Sequence, residues 1–240
     1  MLFDHLLSLF LVVLSPAWVA WDRPRFARRV AADPVNARTK EYIWHIASQW
    51  ALTLGLIAAW WWAGRPMRDI GVLLPETASA WWWSLLIAGA GIALFCQQAF
   101  SVLRSPDAQA KVRTHIESQP GVRTAMPSTP REARVFIGIA ISAGICEEIL
   151  YRGYLLWYFQ SLVPVGVAIA AAIVAFGVGH AYQGVQGIIG TGIAGAIAMA
   201  VYLLTGSLLA PMVLHAGLDL VNGFAIYRAF RGSPITAISD

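Results

Sequence analysis

Charge is what this sequence has least of. Of 240 residues only 12% are Asp, Glu, Lys or Arg, and 58% are hydrophobic. A soluble domain carries about 25% charged residues, so a water-soluble globular chain is excluded and a polytopic membrane protein is expected. Cysteine is nearly absent. Cys96 and Cys146 both lie in apolar runs and read as small buried hydrophobes. Two such residues exclude a disulfide framework and a cysteine metal cluster. No H-E-x-x-H motif occurs. No positive side chain precedes the first apolar run, which follows Asp4 and His5 and ends at a basic cluster. That is the reverse of a secretory signal peptide, so a retained helix with its N-terminus outside is expected. A net charge of +4 in a soluble chain would suggest nucleic acid. Here the basic residues sit between apolar runs, so membrane topology accounts for them and no nucleic acid is expected.

The fold expected is all-α, a transmembrane bundle of about seven spans, near residues 6–20, 42–63, 81–102, 130–160, 163–180, 185–204 and 208–227. Three parts are distinguished: helices 1–3 with basic loops (1–129), a membrane domain carrying the chemistry (130–228) and a short tail (229–240). The segment 21–41 holds Arg23, Arg25, Arg28, Arg29, Arg38 and Lys40, and reads as a cytoplasmic loop. A second basic loop, 104–134, holds Arg104, Lys111, Arg113, Arg123, Arg131 and Arg134. In it, Ser105-Pro106-Asp107 opens a surface helix that Pro120-Gly121 closes. Thr129-Pro130-Arg131-Glu132 fits a capping box that starts the fourth span. The triplets Trp60–Trp62 and Trp81–Trp83 flank a short connection and mark a membrane–water interface, assigned to the outside. Of the 17 Lys and Arg, only Arg65 and Arg68 fall on that side. The C-terminus is therefore expected in the cytoplasm. The sixth span is rich in Gly and Ala and reads as a packing helix.

Against this apolar background the ionisable residues of the late spans stand out. The fourth carries Glu147, Glu148 and Arg152, the fifth His180, and the seventh His215 and Asp219 with Asn222 on the same stripe. Each charge at bilayer depth costs about 2.5–3.5 kcal/mol on insertion scales, and such residues usually mark function. On a helix Glu148 and Arg152 are i and i+4 and can pair, while Glu147 is turned away by about 100°. Pairs of this kind also fix helix register without any chemistry. His45 and Gln49 lie on the second span, and His45 reads as interfacial. The chemistry open to the late residues is narrow. A carboxylate and an imidazole can share a water and take its proton. A second His with an amide or protonated carboxyl can stabilise the oxyanion formed when water attacks a carbonyl. The same residue types also bind zinc, whose bound hydroxide would then be the base.

Taken in order, E-E-x-x-x-R (Glu147-Glu148…Arg152), F-x-x-x-H (Phe176…His180) and H-x-x-x-N/D (His215…Asp219) resemble the pattern of the CPBP family of intramembrane endopeptidases. That family includes CAAX prenyl proteases and bacterial proteins linked to bacteriocin self-immunity. The resemblance covers about residues 134–227. It implies that Glu147 is the general base and that His180 holds the water from the other side. Glu148 and Arg152 would orient the site. His215 and Asp219 would stabilise the oxyanion, unless Asp219 orients His215 and Asn222 donates one turn further on. It implies a multi-pass protein of the cell membrane, of the bacterial inner-membrane type, acting on a lipidated protein or membrane peptide. A metal-free, glutamic-type mechanism is favoured. In the zinc alternative Glu147, His180, His215 and Asp219 would be the ligands. Two other functions use the same residues. One is a proton-coupled transporter relaying protons through them; the other is a non-catalytic immunity protein binding a peptide in the same groove. The partners expected are membrane lipids and a peptide or lipidated-protein substrate.

Overall fold

The computed structural model describes residues 2–231. The expected tail therefore lies outside the described residues from position 232 onward. Nine helices follow in order, among the described residues: α1 (Leu2–Ala32), α2 (Ala37–Trp62), α3 (Ala78–Arg104), α4 (Pro106–Glu117), α5 (Pro120–Ala125), α6 (Pro130–Glu147), α7 (Val165–Gly179), α8 (Gly184–Thr205) and α9 (Leu209–Phe230). α6 runs on unbroken through π-helical Glu148–Leu155 into α-helical Leu156–Gln160. No strand occurs among the described residues.

Among the described residues, four stretches are long and apolar enough to cross a membrane: Leu2–Ala32, Ala78–Arg104, Ala181–Thr205 and Leu209–Phe230. The apolar helix Val165–Gly179 is shorter. The surface is apolar over much of its area. On α3, Trp82, Leu85, Leu86 and Leu94 all point outward. Side chains of this kind are stable facing lipid and are a liability in water.

Local chemistry accounts for the helix ends. Thr77 and Ser105 accept from the backbone N–H groups of Ala80 and Ala108, the usual N-cap arrangement. The expected capping box forms: Thr129 Oγ1 accepts from Glu132 N–H, and Glu132 Oε2 accepts from Thr129 N–H. Pro16 cannot donate a backbone bond and crowds the turn before it. The chain widens there into a π-helical stretch, Phe10–Leu14, in which Ser15 N–H reaches Phe10 O.

Four expectations are corrected. The first helix does not stop at residue 20 but continues to Ala32, with Pro24 inside it. Arg38 is no loop cation. It is fully buried, 3.4 Å from the Glu132 carboxylate, and donates through Nε to Thr124 O. Trp60 is also fully buried and donates to Pro66 O, while Trp61, Trp62 and Trp82 are exposed. Cys96 is exposed; only Cys146 is the buried small residue expected. In addition, Pro120 does not merely end a helix but opens α5.

The expected catalytic region is built around α6. α2 lies along one side of it and α9 along the other, and α9 also carries α3. The main core joins Leu11, Leu56, Trp60, Leu150, Tyr154 and Phe176. At one end Tyr154 donates its hydroxyl to Asp4 O, and Asp4 takes both ends of the Arg65 guanidinium at 2.7 and 3.0 Å. At the other, Arg38–Glu132 and Tyr42 O–H to Ala125 O tie α2 to the start of α6 and to α5.

Candidate active site

Two close helix approaches bring the polar residues together. A Cβ on Gly144 would lie 2.7 Å from the backbone N of Ala216. Only glycine there lets α6 press against α9, and this places Glu148, one turn on, beside His215. A Cβ on Gly195 would lie 2.9 Å from the Phe176 ring and 3.2 Å from Arg152 Nη2. α8 is thus a packing helix, as its composition suggests, and Gly195 makes room for the Arg152–Phe176 stack.

The segment after Glu147 is π-helical, and every residue from Glu148 to Leu155 is buried. Long π-helical stretches are rare and concentrate at functional sites. With about 4.4 residues per turn, a π-helix still stacks i over i+4 closely. Arg152 Nη1 accordingly lies 3.0 Å from Glu148 Oε1, with both side chains almost wholly buried. The angle is not that of a directed hydrogen bond, and Nη1 lacks such a partner, so the contact is one of charge. The guanidinium carbon sits 3.8 Å over the Phe176 ring, and that ring meets His215 edge-on at 5.9 Å.

Each imidazole is oriented by one nitrogen. His180 Nδ1–H donates to Phe176 O at 2.9 Å. Its Nε2 therefore carries the lone pair in the neutral ring and faces Glu147 Oε2 at 3.9 Å. His215 Nδ1–H donates to Glu148 Oε1 at 2.8 Å. Its Nε2 faces Glu147 Oε2 at 3.9 Å and Asp219 Oδ2 at 3.7 Å. Glu147 Oε2 is buried without a partner, at the meeting point of the two rings. Its other oxygen, Oε1, accepts from Gln49 Nε2 at 2.9 Å.

Of the residues singled out in the sequence, Glu147, Glu148, Arg152, Phe176, His180, His215 and Asp219 thus come together from α6, α7 and α9. Asn222, one turn beyond Asp219, is exposed and makes none of these bonds. His45 is exposed too. Gln49 is the site contact missed. The signal was available: it is an amide within an apolar run, and intramembrane polar groups rarely stand alone.

Glu147, His180, His215 and Asp219, the four candidate zinc ligands, lie around one point of this site. Zinc–ligand bonds of 2.0–2.1 Å at tetrahedral angles put neighbouring donor atoms about 3.3 Å apart. The separations here, 3.7 and 3.9 Å, are wider. Among the described residues no group of three or more His, Cys, Asp or Glu is arranged to hold a metal ion.

An apolar helical chain with two imidazoles facing one buried carboxylate oxygen, and further carboxylates beside one of the rings, falls in a narrow class: apolar helical bundles with clustered ionisable groups inside. The comparisons narrow it further. Residues 129–221 match the model of the type II CAAX prenyl endopeptidase Rce1-like family. Over this stretch the chain is similar to CAAX-type prenyl endopeptidases. Searches of curated proteins and of solved structures returned no match.

Proposed function

We propose that this protein is an intramembrane endopeptidase that hydrolyses a peptide bond of a lipidated, CAAX-like protein or membrane peptide with a water activated by Glu147 and His180. The single observation that carries this reading is the 3.9 Å gap between Glu147 Oε2 and His180 Nε2. In the neutral ring the proton sits on Nδ1 against Phe176 O, so that both facing atoms are then acceptors. Two facing acceptors are stabilised by a donor between them, and a water with two hydrogen bonds of about 2.8 Å spans such a gap.

In the reaction the water oxygen attacks the scissile carbonyl carbon, and its proton passes to Glu147 Oε2. The C=O π electrons move onto the carbonyl oxygen, giving a tetrahedral oxyanion. His215 answers that charge: with Nδ1–H held by Glu148, a proton on Nε2 makes the ring a cation that can donate to the oxyanion. Asp219, 3.7 Å from Nε2, balances that cation. The oxyanion then collapses, the C–N bond breaks, and Glu147 delivers its proton to the leaving nitrogen. Glu148 and Arg152 hold His215 and the ring of Phe176 in place throughout.

The direct test is cleavage of a fluorescent lipidated reporter peptide by the purified protein in liposomes, before and after exhaustive chelation. We expect cleavage in both. Stoichiometric zinc, with activity lost on chelation and restored by zinc, would replace the metal-free base with a metal-bound one.

The seven-span arrangement belongs to the same proposal. The N-terminus lies outside, and α4, α5 and the connection between α1 and α2 lie in the cytoplasm. Val35, Leu74 and Ser118 are exposed in three different connections. With Cys96 replaced by Ser, single cysteines at these positions should label from the cytoplasmic, outer and cytoplasmic sides respectively. Labelling of Leu74→Cys from the cytoplasm alone overturns this topology.

A further inference from the structure

The family match begins at residue 129, yet one bond to Glu147 comes from outside it. Gln49, on α2, donates from Nε2 to Glu147 Oε1 at 2.9 Å. An ionised carboxylate offers only lone pairs, so the amide must present its NH₂, and the orientation is fixed by chemistry. The bond takes one oxygen of Glu147 and leaves the other, Oε2, facing both imidazoles. α2 is itself held beside α6 by independent contacts. Trp50 Nε1–H donates to Ser142 Oγ at 2.9 Å, and Arg38 meets Glu132 at 3.4 Å. A side chain that delivers one donor from a separately anchored helix is suited to set an angle.

We infer that Gln49 is the positioning residue of the general base. By occupying Oε1 it fixes the Glu147 carboxylate so that Oε2 alone reaches the water. The N-terminal helices are then part of the reaction machinery, not only a membrane anchor. This rests on the peptidase reading above.

The test compares Gln49→Leu and Gln49→Met, which keep the bulk and lose the donor, using the full-length protein in liposomes with the lipidated reporter. A carboxylate misplaced by about 1 Å can cost on the order of 100-fold. We expect kcat to fall about 10–100-fold, with KM and melting temperature unchanged. The pairing with Glu147 is read in a double-mutant cycle. Glu147→Asp draws the carboxylate back by a methylene, out of reach of Gln49, so in that background Gln49→Leu should change kcat little. Unchanged kcat in both single variants, or equal losses in both backgrounds, overturns the inference. Failure of the wild-type protein to cleave any reporter is a separate result against the peptidase reading. The Gln49–Glu147 contact is then still read from the infrared carboxylate band assigned by the Glu147→Gln difference. A band unmoved by Gln49→Leu overturns the contact; a shifted band supports it.

Discussion

Turnover of the Glu147→Gln variant is expected to fall by about 10²–10⁴-fold, the usual span for removing a general acid–base group, while the protein remains inserted and folded. The amide fits the site without rearrangement. Its carbonyl oxygen takes the place of Oε1 and still accepts from Gln49 Nε2. Its NH₂ takes the place of Oε2, where it can donate towards the His180 Nε2 lone pair but makes no bond to a protonated His215 Nε2. Shape and the Gln49 bond survive, while the negative charge facing His215 and the capacity to take a proton from water are lost. The measurement is reporter cleavage together with thermal stability in detergent. Cleavage at the wild-type rate would end the peptidase assignment to this carboxylate. A large loss of stability would show instead that the ionised form of Glu147 holds the bundle together.

Arg152→Ala is expected to lower stability and activity together. The side chain removed is nearly wholly buried, pairs with a fully buried carboxylate and covers the Phe176 ring. Breaking a buried pair while one partner stays charged costs about 3–5 kcal/mol. Proton uptake by Glu148, or sharing with His215 Nδ1, would reduce that cost. Glu148→Gln with Arg152→Met removes both charges and keeps most of the volume, so part of the lost stability should return. Thermal unfolding of the wild type, the single and the double variant decides. Unchanged stability in Arg152→Ala would move the arginine from the supporting structure to the substrate-facing side of the site.

The parts of the site that were legible in the sequence share one property: their residues are costly at membrane depth and cluster within single helices. Glu147, Glu148 and Arg152 lie in one run, and His215 and Asp219 are one turn apart. What the sequence did not disclose depends on relations across the bundle. Gln49 meets Glu147 98 residues away, and no local pattern marks that pairing. Arg38 looked like a loop cation because its partner, Glu132, is 94 residues on. Asn222 extended the stripe of His215 and Asp219, but a stripe records only which way a residue faces on its own helix. It cannot say how far along α9 the neighbouring helices stay in contact. The π-helical stretch was invisible for a related reason, since Glu148 and Arg152 stack in either kind of turn. Trp60 follows the same rule: its two neighbours lie at the surface, and the packing of α2 against Trp157 and Tyr154 takes it inside.

The Arg38–Glu132 pair has a consequence in time. At about 5–20 residues per second of synthesis, the 94 residues between them take on the order of 5–20 s to emerge. Throughout that delay α2 exists and its partner does not. Arg38 is then a cation at the end of a nascent helix without its Glu132 partner, the kind of residue that biases helix orientation in a membrane. Only when α6 arrives does the same guanidinium become an internal fastening, lost to the surface. The same charge that would bias orientation in the nascent chain is thus internal in the folded one, where the finished surface no longer displays it.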